Sequence, residues 1–194
     1  IVAALIVPDS DIILQGVGVN PTRTGIIDVL QKMGGNIEVM TRTMQDAEAV
    51  ADIRVRYSRL NGVEVAGDII PRLIDEIPAL AVAAAFASGE TTIRDAAELK
   101  VKESNRIAAM VNGLRAMGAD ASEQEDGLSV RGGKPLTGVT LDSNNDHRIA
   151  MALAVAGLAA AGPTVVAGEE CIPVSFPGFA EILCSLGADA VMGV

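Results

Sequence analysis

The sequence predicts an α/β domain assembled from repeated strand–helix units, and three observations predict it. Hydrophobic residues fill 49% of the 194 positions, yet aromatics account for 2% and tryptophan is absent. Segments with a fully apolar helix pattern alternate with amphipathic ones, each closed by a glycine and followed by a strand-like run. The spacing between these glycines recurs. A core that has to be filled by Ala, Val, Ile, Leu and Met suits helices laid on sheets, and a chain of this length buries a sizeable one.

The elements follow in order. IVAALIVP (residues 1–8) reads as the end of an apolar helix. It has neither Met nor a basic region, so it is expected to be the start of a fragment or processed piece rather than a signal peptide. GIIDVLQKMGG is an amphipathic helix with Gly34 as its left-handed cap, leading into the strand NIEV. DIRVRYS and GVEVAG are short strands. PALAVAAAFASG is apolar all round, which requires a helix buried on all sides; it ends at Gly89, before the strand ETTIRD. IAAMVNGLRAMGADASE repeats the amphipathic helix, glycine (Gly118) and strand, and LSVRGG adds another strand. IAMALAVAGLAAAG repeats the all-apolar helix, closes at Gly162 and precedes PTVVAG. FAEILCSLGADAVM repeats the amphipathic helix once more, with Gly187 ahead of a strand over 188–192. Gly89 and Gly118 lie 29 residues apart, and Gly162 and Gly187 lie 25 apart. Each unit therefore reads as buried helix, strand, outer helix, strand. Residues 1–194 form one domain of about two full units plus the tail of an earlier one.

The formal net charge of −10 argues against nucleic acid and anionic membrane as partners. A few local cations are still enough to hold a small anion. The longest apolar run, 149–161, is too short to span a bilayer and contains glycine. Cys171 and Cys184 stand in neither metal nor CxxC spacing, and read as buried free thiols of a reducing compartment, hence a cytoplasmic protein.

Chemistry is signalled where charge meets the starts of apolar helices. Asn145 or Asp146 is positioned to cap the helix that begins at His147 and Arg148. Cations are unfavourable in a first turn, whose amides are already partly positive, unless an anion is held there; otherwise this is a capped helix start with surface charges. In Lys102-Glu103-Ser104-Asn105-Arg106, Ser104 or Asn105 can cap, Arg106 again lies in the first turn, and two cations flank the Glu103 carboxylate. The alternative is an ordinary solvated helix start. Asp75 opens the other buried helix, with Pro78 in its first turn, as either a plain cap or a functional carboxylate. Pro21-Thr22-Arg23-Thr24-Gly25 is another helix start with a cation, phosphate-facing or structural, and is read as structural. In a repeat fold equivalent helix ends gather on one edge. That edge would present an anion pocket with two acid/base carboxylates. GxGxxG and Walker A loops, a Ser/His/Asp order and a metal-ligand set are not recognisable in the sequence.

These segments resemble a known family. GDIIPRLIDEIPALAVAAAFASGETTIRDAAELKVKESNRI, followed by NNDHRIAMALAVAGLAAAG, is similar to the C-terminal part of the 5-enolpyruvylshikimate-3-phosphate synthase (3-phosphoshikimate 1-carboxyvinyltransferase) family. NPTRTGIIDVLQKMGG and SFPGFAEILCSLGA extend the likeness nearly end to end. The resemblance implies βαβαββ units, three to a domain, in an inverse α/β barrel that is one of two domains, with the N-terminal domain outside this sequence and the active site between the two. It implies transfer of enolpyruvyl from phosphoenolpyruvate to the 5-hydroxyl of shikimate 3-phosphate with release of phosphate, on the route to aromatic amino acids, with no metal or organic cofactor. By position, Asp75 matches the carboxylate that contacts the shikimate hydroxyls and takes a proton, and Glu103 the acid that protonates the enolpyruvyl methylene. Lys102 matches a lysine near both substrates. Arg106 and Arg148 match arginines on phosphoenolpyruvate, and His147 a histidine beside that site.

The match departs from the family at two places. Val174 stands where many members carry lysine, which together with the IDE-P segment is more like the glyphosate-tolerant second class, and Glu98 stands where some carry asparagine. The sister UDP-N-acetylglucosamine enolpyruvyl transferase shares fold and donor, but KESNR and DHR argue against it. A non-catalytic ligand-binding half is the other alternative, because without the second domain the pocket is open to water. The chain on its own is expected to turn over negligibly.

Overall fold

In the computed structural model, which describes residues 1–45, 48–191 and 193, three inner helices pack against one another under short strands, with further helices outside. The first unit runs α1 (Val2–Ile6), β1 (Asp11–Gly18), α2 (Gly25–Lys32), β2 (Asn36–Gln45) and β3 (Glu48–Arg56). The second runs β4 (Glu64–Val65), α3 (Ile77–Ala85), β5 (Glu90–Ile93), α4 (Arg106–Ala116), β6 (Asp120–Glu123) and β7 (Leu128–Arg131). The third runs β8 (Thr140–Asp142), α5 (His147–Gly157), β9 (Val165–Ala167), α6 (Ile172–Ser175) and α7 (Phe179–Ser185).

Sheet order shows the repeat directly. β4 lies parallel to β5, and β5 and β6 both pair antiparallel to β7, giving β4-β5-β7-β6. Among the described residues the first unit has the order β1-β3-β2, the same arrangement without a leading strand, and the third has the parallel pair β8-β9.

The amphipathic helices end alike because their sequences do. In α2, α4 and α7 the capping glycine has φ of 93°, 97° and 96° at Gly34, Gly118 and Gly187. Each donates its N–H three residues back, and the next residue donates five back: Gly35 to Leu30, Ala119 to Leu114 and Ala188 to Leu183, at 2.8–3.0 Å. This pair of bonds satisfies carbonyls that a helix end otherwise leaves open.

The inner helices differ from one another. Every residue of α3 except Ala79 is buried, as its all-apolar pattern requires. α5 departs from that expectation, since Met151, Ala154, Val155 and Gly157 are only half-buried. Part of this flank borders a groove between α5, β9 and α7 on one side and α1 and β1 on the other. The same openness corrects two further expectations. The strand expected over 188–192 is not formed at 188–191, where no partner strand pairs among the described residues, and Met192 lies outside them. The cysteines are not buried: Cys171 is half-buried and Cys184, on the uncovered α7, is exposed. Among the described residues no helix is long and apolar enough to cross a membrane.

Adjacent units are joined in two ways. The first is a close backbone approach beside each inner helix end. Gly62 donates to Ser88 and Gly138 to Ala161, both at 2.8 Å. The second is a polar joint between an outer helix start and the next unit. Arg72, just before α3, donates to the Pro21 carbonyl (2.7 Å), Thr24 Oγ1 (3.3 Å) and Asp28 (2.8 Å) around the start of α2.

A β-carbon at Gly62 would stand 2.2 Å from the Glu90 carbonyl oxygen, whereas one at Gly18 meets nothing within 4 Å. We expect Gly62→Ala to lower stability by about 1–3 kcal/mol and Gly18→Ala to change it by less than about 0.5 kcal/mol. Urea unfolding midpoints of the two variants check this.

Candidate active site

Three short segments between strand and helix build the site. Ile74-Asp75-Glu76 forms one 3-10 turn that runs into α3, with Pro78 in the first turn. The capping alternative for Asp75 is not what forms: Glu76 occupies the cap position of α3 without a side-chain bond, and Asp75 turns to two arginines instead. Before α4, Asn105 is the cap, accepting from the Ala108 amide at 3.1 Å, which puts Arg106 at the first helical position. Before α5, Asn144 and Asn145 adopt left-handed conformations (φ 53° and 55°), which asparagine tolerates better than most residues. Buried Ser143 braces this turn, its Oγ accepting from the Asn145 amide at 3.0 Å and donating to the Gly168 carbonyl at 3.0 Å. The chain is thereby turned so that Asp146 enters the interior and accepts from the Arg148 amide at 2.9 Å.

Arg106 is the hub. It is 1% exposed, and each of its nitrogens meets a carboxylate. Nε donates to Asp146 Oδ2 at 2.8 Å, Nη1 to Asp75 Oδ1 at 3.2 Å, and Nη2 to Glu103. Asp146, 0% exposed, also accepts from Ser104 Oγ at 3.1 Å. Asp75 in turn pairs with Arg148 (3.4 Å), whose Nη1 donates to the Asp75 carbonyl at 2.9 Å and lies 3.7 Å from Glu76. Lys102 pairs with Glu98, one turn away from this set. His147 is half-buried and lines a small pocket with Asn145, Glu170, Cys171, Val174 and Ser175; among the described residues no hydrogen bond or ion pair joins it to Arg106 or its carboxylates.

Asp75, Glu103, Arg106 and Arg148 are therefore in one contact network, with Lys102 and His147 at its margins. Arg106 and Asp146 are closed off, while Arg148, Asp75 and Glu103 are 31%, 29% and 54% exposed and open toward solvent. Burial works to raise the Asp146 carboxyl, but hydrogen bonds from Arg106, the Arg148 amide and Ser104, with the charge of Arg106, outweigh it and hold the group below the usual carboxylate range. Glu76 goes the other way: burial, with the neighbouring charge of Asp75, raises it against the pull of Arg148 and Arg23. Arg23, in the segment read as structural, thus bears on the edge of the site.

Two participants escaped the sequence reading. Asp146 was visible only as one of two cap alternatives, and its partner Arg106 lies 40 residues away, beyond any local spacing. Glu76 was passed over beside Asp75. The usable signal was the pair of first-turn arginines, which demanded an anion nearby; the chain's own carboxylates supply it.

Comparison with known proteins follows this geometry. Residues 1–183 match the sequence family described as EPSP synthase (3-phosphoshikimate 1-carboxyvinyltransferase). The chain is 59% identical over 182 residues to a 3-phosphoshikimate 1-carboxyvinyltransferase of Desulforamulus reducens, covering 94% of this chain and 42% of that protein. A protein of the same name from Pelotomaculum thermopropionicum is 60% identical over 190 residues, covering 97% and 44%. Among solved structures, EPSP synthase from Acinetobacter baumannii superposes with a TM-score of 0.93 at 43% identity, covering 96% of this chain and 44% of that one. The enolpyruvyl transferase NikO from Streptomyces tendae superposes with a TM-score of 0.78 at 25% identity, covering 97% and 41%. The chain spans less than half the length of these relatives.

Removing one side of a buried ion pair leaves the other charge uncompensated, so Asp146→Ala is expected to cost about 3–5 kcal/mol in denaturant unfolding at pH 7. Because the folded carboxyl lies below its unfolded value of about 3.9, the stability it contributes is present above that value and is lost as pH falls through the folded one. Unfolding series from pH 6 down to pH 2 should therefore show a smaller acid loss for Asp146→Asn than for the unaltered chain.

Proposed function

The chain belongs to the EPSP synthase (3-phosphoshikimate 1-carboxyvinyltransferase) family, and from that membership we propose that the Arg106 network is the C-terminal share of a carboxyvinyl transferase active site. The rest of the site comes from a second domain, and the chain works in the cytoplasm. The observation that carries this reading is that Asp75 and Glu103 sit on neighbouring nitrogens of one guanidinium. A candidate base and a candidate acid are thus held within reach of a single small ligand.

The chemistry needs that pair. Glu103 gives a proton to the methylene carbon of phosphoenolpyruvate, leaving positive character at the carbon that bears phosphate. The 5-hydroxyl of shikimate 3-phosphate attacks there and passes its proton to Asp75. The carbon–oxygen bond to phosphate then breaks as the new methyl group returns a proton to the Glu103 carboxylate, the leaving phosphate takes up the proton held by Asp75, and the vinyl group is restored on the acceptor. Arg148, one-third exposed, offers the planar fork that suits carboxylate and phosphate. Lys102 and His147 are the chain neighbours of Glu103 and Arg148. Asp75 is oriented toward the solvent-open side of the network by its contacts with both arginines.

The isolated chain leaves this network open to solvent, so binding without turnover is its expected behaviour. Phosphate release from phosphoenolpyruvate plus shikimate 3-phosphate should require mixing the chain with a matching N-terminal half. Glu103→Gln and Asp75→Asn should each lower that rate by about 10²–10⁴-fold. Turnover by the chain alone, or full activity in either variant, would remove the assignment.

A further inference from the structure

We propose that the carboxylates on Arg106 divide into fixed and exchangeable partners: Asp146 holds the guanidinium in place, and Glu103 is a placeholder whose seat on Nη2 is taken by an anionic ligand. The inference rests on the reading above only in taking this edge as the ligand site.

The two carboxylates differ in every respect that governs exchange. Asp146 is fully buried and accepts from Arg106 Nε, Ser104 Oγ and the Arg148 amide. Withdrawing it would leave a buried guanidinium without its fully buried countercharge. Glu103 is 54% exposed and, among the described residues, its one side-chain bond is to Arg106. It can swing into water because its carboxylate is already half-hydrated, and Arg106 keeps Asp146 and Asp75 as countercharges when it leaves. It lies in the bend just before α4, ahead of the Asn105 cap, so its movement leaves the helix intact.

Geometry sets the route. A guanidinium has five N–H donors. On Arg106 the Nε face is closed by Asp146 and the Nη1 side by Asp75, which is itself tied to Arg148. Nη2 also makes a long bond of 3.5 Å to Asp146 Oδ1, and its other side is bordered by half-exposed Glu103. An anion arriving from solvent meets Glu103 there and is repelled by it, so the seat is filled by one or the other. Exchange then has a direct consequence for catalysis: the candidate acid is set free beside the ligand only when the ligand is seated.

The test measures inorganic phosphate affinity by calorimetry for the chain, for Glu103→Gln and Glu103→Ala, and for Glu123→Gln on β6 as a remote loss of the same charge. Emptying the seat should tighten phosphate binding by at least about twofold in both Glu103 variants, the low end of what an ion pair contributes, and leave Glu123→Gln at the affinity of the unaltered chain. Equal or weaker binding in the Glu103 variants overturns the proposal. So does an absence of phosphate binding in them, or the same tightening in Glu123→Gln. The two readings part cleanly: tighter phosphate binding with no turnover in the two-half assay rejects the transferase and keeps the exchange, and turnover with unaltered phosphate affinity does the reverse.

Discussion

A guanidinium that is almost completely buried against a carboxylate that is completely buried governs this edge of the molecule. Desolvating two charges is costly, and the cost is offset only where geometry and extra hydrogen bonds are good. Here Asp146 gathers a guanidinium, a hydroxyl and a backbone amide, and Arg106 meets carboxylates from three segments. The start of α4 is thereby fixed to the start of α5, and Asp75 is drawn to both from the turn before α3. The positions of the remaining site residues follow from that knot.

The knot also explains a local oddity. Arginines at the first turns of α4 and α5 oppose the partial positive charge of the helix amides. At α4 the cap alone does not remove the conflict, since Asn105 is neutral. Carboxylates packed over these same turns do remove it, and they are the groups a proton-transfer site requires. Local electrostatics that would be unfavourable in an isolated helix becomes favourable once strands and turns from two units converge.

Much of the architecture was legible because it is written in local pattern. The glycines after each amphipathic helix, the all-apolar α3 and the strand after Gly118 are fixed by neighbours within a few residues. β8 was not legible: three residues form a strand only because β9 lies beside them. The strand expected after Gly187 has the right residues but, among the described residues, no partner at 188–191, and residue type without pairing does not make a strand. α5 reads as apolar all round in the same way as α3, but burial depends on what covers a helix, and part of its flank faces a groove. In the site, chemistry-bearing residues could be picked out by type and place at helix starts, whereas the identity of the countercharge could not. Asp146 and Arg106 are 40 residues apart, and Asp146 in isolation is an ordinary cap.

The joint formed by Arg72 has a counterpart in the joint formed by Asp146. Each residue stands in the link between a unit's leading strand and its inner helix, and each reaches the start of the preceding unit's outer helix. At the first joint the incoming link brings the cation and the outer helix the acid, as Arg72 meets Asp28. At the second the polarity is inverted, with Asp146 arriving and Arg106 receiving. The scaffold accepts either sign, so mechanical attachment does not dictate which is used. Only the inverted arrangement seats a sealed cation among several acids. One duplicated attachment point is thereby a simple weld, while its copy is a place where protons can be exchanged.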